Sequence, residues 1–263
     1  MRLEKKITIF VAIGLVILGS FMASFAVTAA GGDFSKIVKT EEYEEKVFDI
    51  TEDFEDIKVE LLSHDLIVLP SEDGDTHFIC HEFKNNKYTV DVRGTELVIT
   101  EKESFDWRDH IMVNYPHTDE ILYLPKDSYR DFEATFGSGD MNIQDKFSFA
   151  ELKVSVGSGD VEIKNVFAKE KLAIKTGSGK INLSSCDAAS MDLKSGSGDI
   201  DFNSCDGINI VISTGSGDVT GSFRTAKTFD ANSGSGDVRV PQDGNGGNCK
   251  IRCGSGDISI DIG

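Results

Sequence analysis

Six aspartates recur at one position of a repeated tetrapeptide, and their type and spacing suggest metal chemistry. Each ends a Gly-Ser-Gly-Asp tract, and they are Asp140, Asp160, Asp199, Asp218, Asp237 and Asp257. If equivalent residues stack on neighbouring strands, their carboxylates lie about 5 Å apart. A row of hard oxygen ligands at that spacing would suit weak Ca²⁺ sites. We favour the alternative that each Asp caps its own turn through local amides, because Lys180 interrupts the row.

Two of the five cysteines also occupy equivalent places in the repeat. Cys186 and Cys205 each lie nine residues after the first glycine of their tract, and they are 19 residues apart. Stacking would bring their Cα atoms within the separation that a disulfide accepts. A Cys186–Cys205 disulfide is one interpretation, and two thiols packed side by side is the other, which we favour. No two cysteines show the Cys-x-x-Cys spacing of a zinc site.

The sequence contains no familiar catalytic or cofactor motif. It has no Gly-x-Ser-x-Gly elbow, no phosphate-binding loop and no His-Glu-x-x-His segment. His77 and His81 would share one strand face about 13 Å apart, which is too far to chelate one metal directly. We therefore predict no enzyme activity, no catalytic residues and no cofactor, with a glycan-cleaving β-helix enzyme as the less favoured alternative.

The tracts themselves indicate the architecture that positions these side chains. Six Gly-Ser-Gly-Asp tracts and one Gly-Ser-Gly-Lys variant recur every 19 or 20 residues. A fixed period of this length is typical of a solenoid. We predict that the glycines form structural turns with positive φ. The turn glycines are Gly137, Gly139, Gly157, Gly159, Gly177, Gly179, Gly196, Gly198, Gly215, Gly217, Gly234, Gly236, Gly254 and Gly256.

Apolar and polar residues alternate on both sides of each tract. Leu152, Val154 and Val156 precede the second tract, and Val161 and Ile163 follow it. A period of two predicts strands with one buried face. The predicted fold is therefore all-β: a parallel β-solenoid of roughly 20-residue coils, stacked about 4.8 Å apart.

The regular coils are predicted over residues 131–263, and irregular coils over residues 47–130. Degraded corners at residues 62–65, 93–96 and 116–119 would belong to the irregular part. The last coil, ending with Ile258–Ile262, would leave an open strand edge at which copies of the chain could associate.

The amino terminus predicts a membrane anchor. Residues 1–6 are net basic, and residues 7–30 contain no charge. A helix of that length reaches about 36 Å, against about 30 Å of hydrocarbon. We predict a short cytoplasmic tail, a transmembrane helix over residues 7–30, a polar stalk over residues 31–46 and an extracytoplasmic remainder. A cleaved signal, which would give a secreted protein, is the alternative.

The charge balance excludes some partners. Residues 33–263 hold 24 basic and 44 acidic residues, because residues 1–32 contain three of the 27 basic and one of the 45 acidic residues. A net charge of 24 − 44 = −20 repels nucleic acid and anionic lipid. We therefore predict no nucleic-acid partner.

Serial Gly-Ser-Gly-Asp-Val-x-Ile units, together with the Leu-Tyr-Leu-Pro segment at residues 122–125, resemble a known bacterial family. It is the "putative adhesin" β-strand-repeat domain family of unknown function, often found behind a membrane anchor. The resemblance covers roughly residues 47–263 and implies an extracytoplasmic β-solenoid at the cell envelope. It carries no established catalytic residues.

These observations predict a non-enzymatic, membrane-anchored protein with an adhesin-like interaction or scaffold surface. The expected partner is an envelope protein or a glycan. The alternative is a sensor or regulator of envelope stress that acts through a membrane partner, since a six-residue tail is too short to signal alone.

Overall fold

The computed structural model describes residues 39–40, 42–104, 113–114, 118–125, 128–242 and 244–263. The predicted tail (1–6), transmembrane helix (7–30) and most of the stalk (31–46) lie outside these residues. Within the described part of the chain, no helix is long and apolar enough to cross a membrane.

The chain divides into two compact units. The smaller comprises Met1–Glu42 and Phe105–Pro116, and the larger comprises Tyr43–Ser104 and His117–Gly263. In the described part of the smaller unit, strand β1 (Lys39–Thr40) pairs in parallel with strand β8 (Val113–Asn114).

The larger unit consists of twenty strands joined by hydrogen bonds. They are β2 (Glu44–Ile50), β3 (Asp56–Leu61), β4 (Asp65–Pro70), β5 (Thr76–Glu82), β6 (Asn86–Arg93), β7 (Glu96–Glu103), β9 (Asp119–Leu124), β10 (Ser128–Ser138), β11 (Met141–Ile143), β12 (Ser148–Ser158), β13 (Val161–Lys164), β14 (Phe167–Thr176), β15 (Ile181–Ser184), β16 (Asp187–Ser195), β17 (Ile200–Thr214), β18 (Val219–Phe223), β19 (Lys227–Ser233), β20 (Val238–Arg239), β21 (Gly247–Cys253) and β22 (Ile258–Ile262).

These strands form nine stacked coils, each with one strand in a front sheet and one in a back sheet. From one end to the other the coils are β7/β9, β3/β4, β10/β11, β12/β13, β14/β15, β16/β17, β17/β18, β21/β22 and β19/β20. Neighbouring coils pair in parallel, and inward side chains such as Leu152, Leu172 and Met191 form buried columns. The predicted parallel stacking of strands is confirmed.

The tract glycines are required by close stacking rather than by positive φ. Only Gly139 among the fourteen has φ in the left-handed region, at 137°. A Cβ at any of the fourteen would lie closer than 3.0 Å to a backbone carbonyl oxygen of the adjacent coil. Because that oxygen belongs to the backbone, no side-chain rotation relieves the clash. The tracts lie between front and back strands, although Gly137 and Gly157 still belong to β10 and β12. The positive φ predicted for the glycines is wrong except at Gly139.

Five of the six corner aspartates accept a backbone N–H of the adjacent coil; they are Asp140, Asp160, Asp199, Asp218 and Asp257. The Oδ1 atom of Asp140 accepts the N–H of Asp160 at 2.7 Å, and the same contact recurs along the column at 2.7–3.0 Å. The predicted cap is therefore correct in kind, but its amide belongs to the adjacent coil and not to the same turn. Lys180 supplies no carboxylate to the column, and its Nζ lies 2.5 Å from Oδ2 of Asp201.

The order of coils in space departs from chain order at the carboxyl end. Strand β22 pairs with β18 on one side and with β20 on the other, and β21 lies likewise between β17 and β19. The last coil of the chain is thus enclosed, and β19/β20 forms the end of the stack. The prediction of an open edge is wrong at Ile258 and Ser259, because these residues pair with Val238 and Arg239 of β20.

The amino-terminal end shows a similar insertion, and it contains a hairpin where a corner was predicted. The β3/β4 coil lies between β7/β9 and β10/β11. Residues 93–96, predicted as a corner, form the turn of an antiparallel hairpin between β6 and β7, with Gly94 at φ 67°. Strands β5 and β2 extend the back sheet antiparallel beyond β9. Residues 44–46 of the predicted stalk therefore belong to the sheet.

Candidate functional site

The outer face of the back sheet is apolar over its four amino-terminal strands. Val47, Ile79, Ile121 and Ile67 lie opposite one another on β2, β5, β9 and β4. Their neighbours are buried along β4, β5 and β9 and half-buried along β2, so alternation directs these four side chains outward. Val47 is 54% exposed.

The same row becomes polar in every following coil. Continuing from Ile67 across the sheet, the paired residues are Asn142, Glu162, Asn182, Asp201, Thr220, Ser259 and Arg239. Scattered aliphatic side chains are normal on a protein surface, but a contiguous row is not. We call the amino-terminal part of this face the apolar surface, defined by Val47, Ile67, Leu69, Ile79, Ile121 and Tyr123.

A second row lies two residues along the strands. Asp49, His77, Tyr123 and Leu69 are in cross-strand register. A groove of about 870 Å³ is lined here by Val47, Leu69, Ile79 and Tyr123, with polar side chains beside them. The groove is open, and its lining residues come from β2, β4, β5, β9 and the adjoining loops, so its apolar part extends across neighbouring strands and can face a macromolecule.

His77 is held between two carboxylates at the margin of this groove. Its Nδ1 lies 2.8 Å from Oδ1 of Asp49, and its Nε2 lies 3.0 Å from Oδ2 of Asp73. Hydrogen bonds to Asp49 and then Asp73 raise the pKa of His77. The N–H of Asp75, the hydroxyl of Ser71 and His77 together lower the pKa of Asp73 to about 2. The imidazolium form donates to both carboxylates.

The same turn contains a set of ligand atoms that could hold a metal ion. Asp73, Asp75 and His77 each offer one atom, and these lie within 4.8 Å of one another. Both imidazole nitrogens already face carboxylates, however, and a metal would need a free lone pair on one of them. We assign these residues to the acidic margin of the groove. Among the described residues, the corner aspartates do not form such a set.

A buried polar cluster closes the terminal coil of the solenoid. Glu101 is 4% exposed and follows the residues of β7 that pair with β3. Its carboxylate accepts the N–H of Leu62 at 2.6 Å, Nδ2 of Asn86 at 2.6 Å and Nδ1 of His64 at 2.9 Å. Burial raises the pKa of Glu101, but these hydrogen bonds outweigh burial and hold the pKa below its ordinary value. The pKa of His64 is raised, since Glu101 outweighs the cost of burial.

Glu120 occupies a core position of the same coil. It pairs with Leu66 in register and is fully buried. The hydroxyl of Tyr88 donates to its Oε1 at 3.1 Å, and the N–H of His81 donates to its Oε2 at 2.9 Å. Burial raises the pKa of Glu120 to about 7, and the charge of His64 and these hydrogen bonds offset only part of that effect.

Two carboxylates beside an imidazole can carry out acid–base chemistry, but a substrate cannot reach this cluster. Glu101 and Glu120 are buried, and their oxygens accept hydrogen bonds from the protein itself. The groove on the apolar surface is lined by other residues. The cluster therefore closes the end of the solenoid, where the chain has no Gly-Ser-Gly-Asp corner.

The predicted cysteine pair is brought together. The N–H of Asp206 donates to the carbonyl of Cys186 at 3.0 Å, which places Cys205 and Cys186 on adjacent coils. Both are buried free thiols. The favoured pair of thiols stays a prediction, with the Cys186–Cys205 disulfide as its alternative, and cation binding by the aspartate column likewise stays the less favoured alternative.

Sequence reasoning missed the apolar surface and the buried cluster. The apolar surface had a signal, because residues 66–69 and 121–124 are unbroken apolar runs rather than alternating ones. The cluster had none, because His64, Asn86, Glu101 and Glu120 come from separate strands and a corner.

The described fold is that of an all-β protein built from stacked coils with a partly exposed apolar surface at one end. The family model of Toastrack DUF4097 matches residues 54–262, which is most of the chain. The protein therefore belongs to the Toastrack DUF4097 family, and the resemblance drawn from the repeats is confirmed. No sequence among the curated proteins is significantly similar to it.

One of the solved structures that are similar to this chain, at low sequence identity, shares its fold. A putative adhesin from Bacteroides fragilis NCTC 9343 is 17% identical, with a TM-score of 0.56 over 84% of this chain and 99% of that one. A putative adhesin from Parabacteroides distasonis ATCC 8503 is 13% identical, with a TM-score of 0.47 over 84% and 99% of the two chains. A putative lipid binding protein from the same organism is 14% identical, with a TM-score of 0.41 over 84% and 98%. At these identities the likeness concerns the fold alone.

Proposed function

We propose that this protein is a non-enzymatic, membrane-anchored protein of the bacterial envelope whose β-solenoid presents a binding surface for another envelope protein. The observation that carries the proposal is the change of the outer back-sheet face from polar to apolar. Val47 is exposed and the other five members of the apolar surface are half-buried. A contiguous, partly exposed apolar surface with a polar margin marks an interaction site. Nothing in the coil-to-coil packing of the solenoid requires isoleucine at these outward positions.

The arrangement of acidic groups supports a binding role over catalysis. Glu101 and Glu120 are buried and hydrogen-bonded within the protein, which leaves them no route to a substrate. A rigid stack of parallel strands is suited to holding a fixed surface in place. The name of the Bacteroides fragilis protein, a putative adhesin, agrees with such a role.

The amino-terminal sequence supports location at the membrane. Residues 1–6 are basic, and residues 7–30 are uncharged and long enough to span a bilayer as a helix. In this proposal the helix is retained and the solenoid lies outside the cytoplasm, with a cleaved and secreted form as the alternative. If the partner spans the membrane and signals, the same surface would serve an envelope sensor.

Site-specific photo-crosslinking in cells tests the proposal. A photoreactive residue replaces Val47 on the apolar surface or, as a control, the exposed Thr220 on the polar part of the same face. We expect a discrete envelope-protein adduct from position 47 and none from position 220. The identity of the adduct would separate a scaffold from a sensor. Equal adducts from both positions, or no protein adduct from position 47, would overturn the proposal.

A further inference from the structure

The apolar groove continues into a second, acidic groove. The second groove has a volume of about 530 Å³, and His77 lines both grooves. The first has an apolar floor of aliphatic and tyrosine side chains. The second is lined mainly by the polar turns that flank β2 and β5. The two therefore form one surface that is apolar on one side and acidic on the other.

The charges along this surface have one sign. Carboxylates line the two grooves, and among the described residues no lysine or arginine does so; the acidic residues are Asp49, Glu52, Asp53, Glu72, Asp73, Asp75 and Asp145. Of the lining residues that the structure describes, His77 alone can carry a positive charge, and it is hydrogen-bonded to Asp49 and Asp73. Exposed carboxylates at this density favour a cationic ligand and disfavour an anionic one.

We infer that these two grooves bind a segment of a partner polypeptide. The segment has aliphatic side chains on one side and adjacent lysine or arginine side chains. This inference rests on the proposed binding function and names the chemistry of the partner. The aliphatic side chains would contact the apolar surface, and the basic side chains would enter the acidic groove beside His77.

The dimensions of the apolar row suit a short amphipathic helix. Four strands spaced about 4.8 Å apart span about 14 Å from Val47 to Ile67. Aliphatic side chains at positions i, i+4 and i+7 of a helix span about 10.5 Å along its axis. Two turns of helix therefore cover about three quarters of the row, and flanking basic residues remain free to reach the carboxylates.

Other occupants lack this complementarity. Anionic phospholipid headgroups would meet the same carboxylates, and a neutral acyl chain would leave the acidic groove unused. A second copy of the solenoid has a net charge of the same sign, from 24 basic and 44 acidic residues after residue 32. The binding test below gives a different result for a lipid or for a second copy of the chain.

The test uses the full chain in phosphatidylcholine nanodiscs and two fluorescent helical peptides. Both peptides have leucine at positions i, i+4 and i+7; one has lysine and the other glutamate at the flanking positions. Affinity is measured by anisotropy at low and at physiological salt. We expect the lysine peptide to bind at least tenfold more tightly than the glutamate peptide, with affinity falling as salt rises.

Matched variants show whether the lysine peptide uses this surface. The triple variant Asp53→Asn, Glu72→Gln and Asp75→Asn is expected to weaken binding at least fivefold, and Ile79→Thr to weaken it similarly. The control triple variant Glu162→Gln, Glu170→Gln and Asp261→Asn removes the same charge elsewhere and is expected to leave affinity unchanged. Circular dichroism checks that each variant is folded.

Several results would overturn the inference. They are no binding of the lysine peptide, equal binding of both peptides, or equal losses in both triple variants, which would indicate attraction to net charge alone. Binding of phosphatidylcholine vesicles to detergent-solubilised protein, lost in Ile79→Thr, would indicate a lipid occupant. Concentration-dependent dimers that the lysine peptide does not dissociate would indicate a second copy. An adduct at position 47 together with any of these results would leave the proposed function standing.

Discussion

Replacing Glu120 by glutamine removes one carboxylate from the core of the terminal coil. Glu120 is fully buried and accepts hydrogen bonds from the hydroxyl of Tyr88 and the N–H of His81. Burial raises its pKa from 4.5 to about 7. Glutamine has nearly the same shape and carries no charge, so the variant isolates the cost of ionising this group.

The size and sign of the effect follow from the difference in proton binding between the folded and unfolded states. The folded protein keeps the proton of Glu120 up to about pH 7, while the unfolded chain releases it near pH 4.5. Stability that is present below pH 4.5 is therefore lost as the pH rises through about 7. A difference of about 2.5 pKa units corresponds to about 3 kcal/mol in the free energy of unfolding at alkaline pH.

Urea unfolding of the wild type and of Glu120→Gln at pH 5 and pH 9 measures this difference. At pH 5 we expect the variant to be less stable by about 1 kcal/mol, because its amide replaces one of the two acceptors. At pH 9 we expect it to be more stable than the wild type by about 2 kcal/mol. The exposed Glu133→Gln serves as the control and should show no such reversal. The same difference between Glu120→Gln and wild type at both pH values would refute the reasoning.

Three further predictions concern the stacked coils. Gly179→Ala should destabilise the protein by about 1–3 kcal/mol in urea unfolding, because its Cβ would meet the backbone of Gly159. Ser178→Ala on the exposed corner should have little effect, and equal effects of the two variants would contradict the steric account. Cys186 and Cys205 should both be labelled by iodoacetamide after unfolding without a reductant, and a mass 2 Da lower than that of the reduced chain would instead establish the disulfide. Lys227→Met removes a buried ammonium 2.5 Å from Asp206 and should speed hydrogen exchange in β19, while the exposed Lys250→Met should not. Unchanged exchange in Lys227→Met would mean that the Lys227–Asp206 pair does not stabilise the β19/β20 coil.

The repeat and its period could be predicted because the information is local. Each Gly-Ser-Gly-Asp tract and its alternating flanks specify a corner and two strands without reference to distant residues. The close approach of glycines such as Gly157 and Gly177 to the backbone of the coil before them follows from stacking equal coils.

The order of coils at the two ends could not be predicted in the same way. Either edge of a parallel coil offers the same hydrogen-bonding groups, so sequence neighbours need not become spatial neighbours. The β21/β22 coil could pair on either side of β19/β20 by this criterion. The connection from β20 passes beside the start of β19, where a Cβ at Gly244 or Gly246 would clash with the backbone of Lys227 or Ala226.

The candidate surface was predictable in part. The unbroken apolar runs at residues 66–69 and 121–124 already indicate strands that are apolar on both faces. Their alignment with Val47 and Ile79 depends on two antiparallel pairings over long sequence distances. Alternation within one strand carries no information about such pairings.

Accessibility of the apolar surface in purified protein and in cells tests the central claim most directly. The variants Val47→Cys and Thr220→Cys add one exposed thiol each, and all five native cysteines are buried. With a small maleimide, we predict rapid labelling of both variants when purified, and protection of Val47→Cys but not of Thr220→Cys in intact cells. Equal labelling of the two variants in cells would contradict the claim that the apolar surface binds a partner.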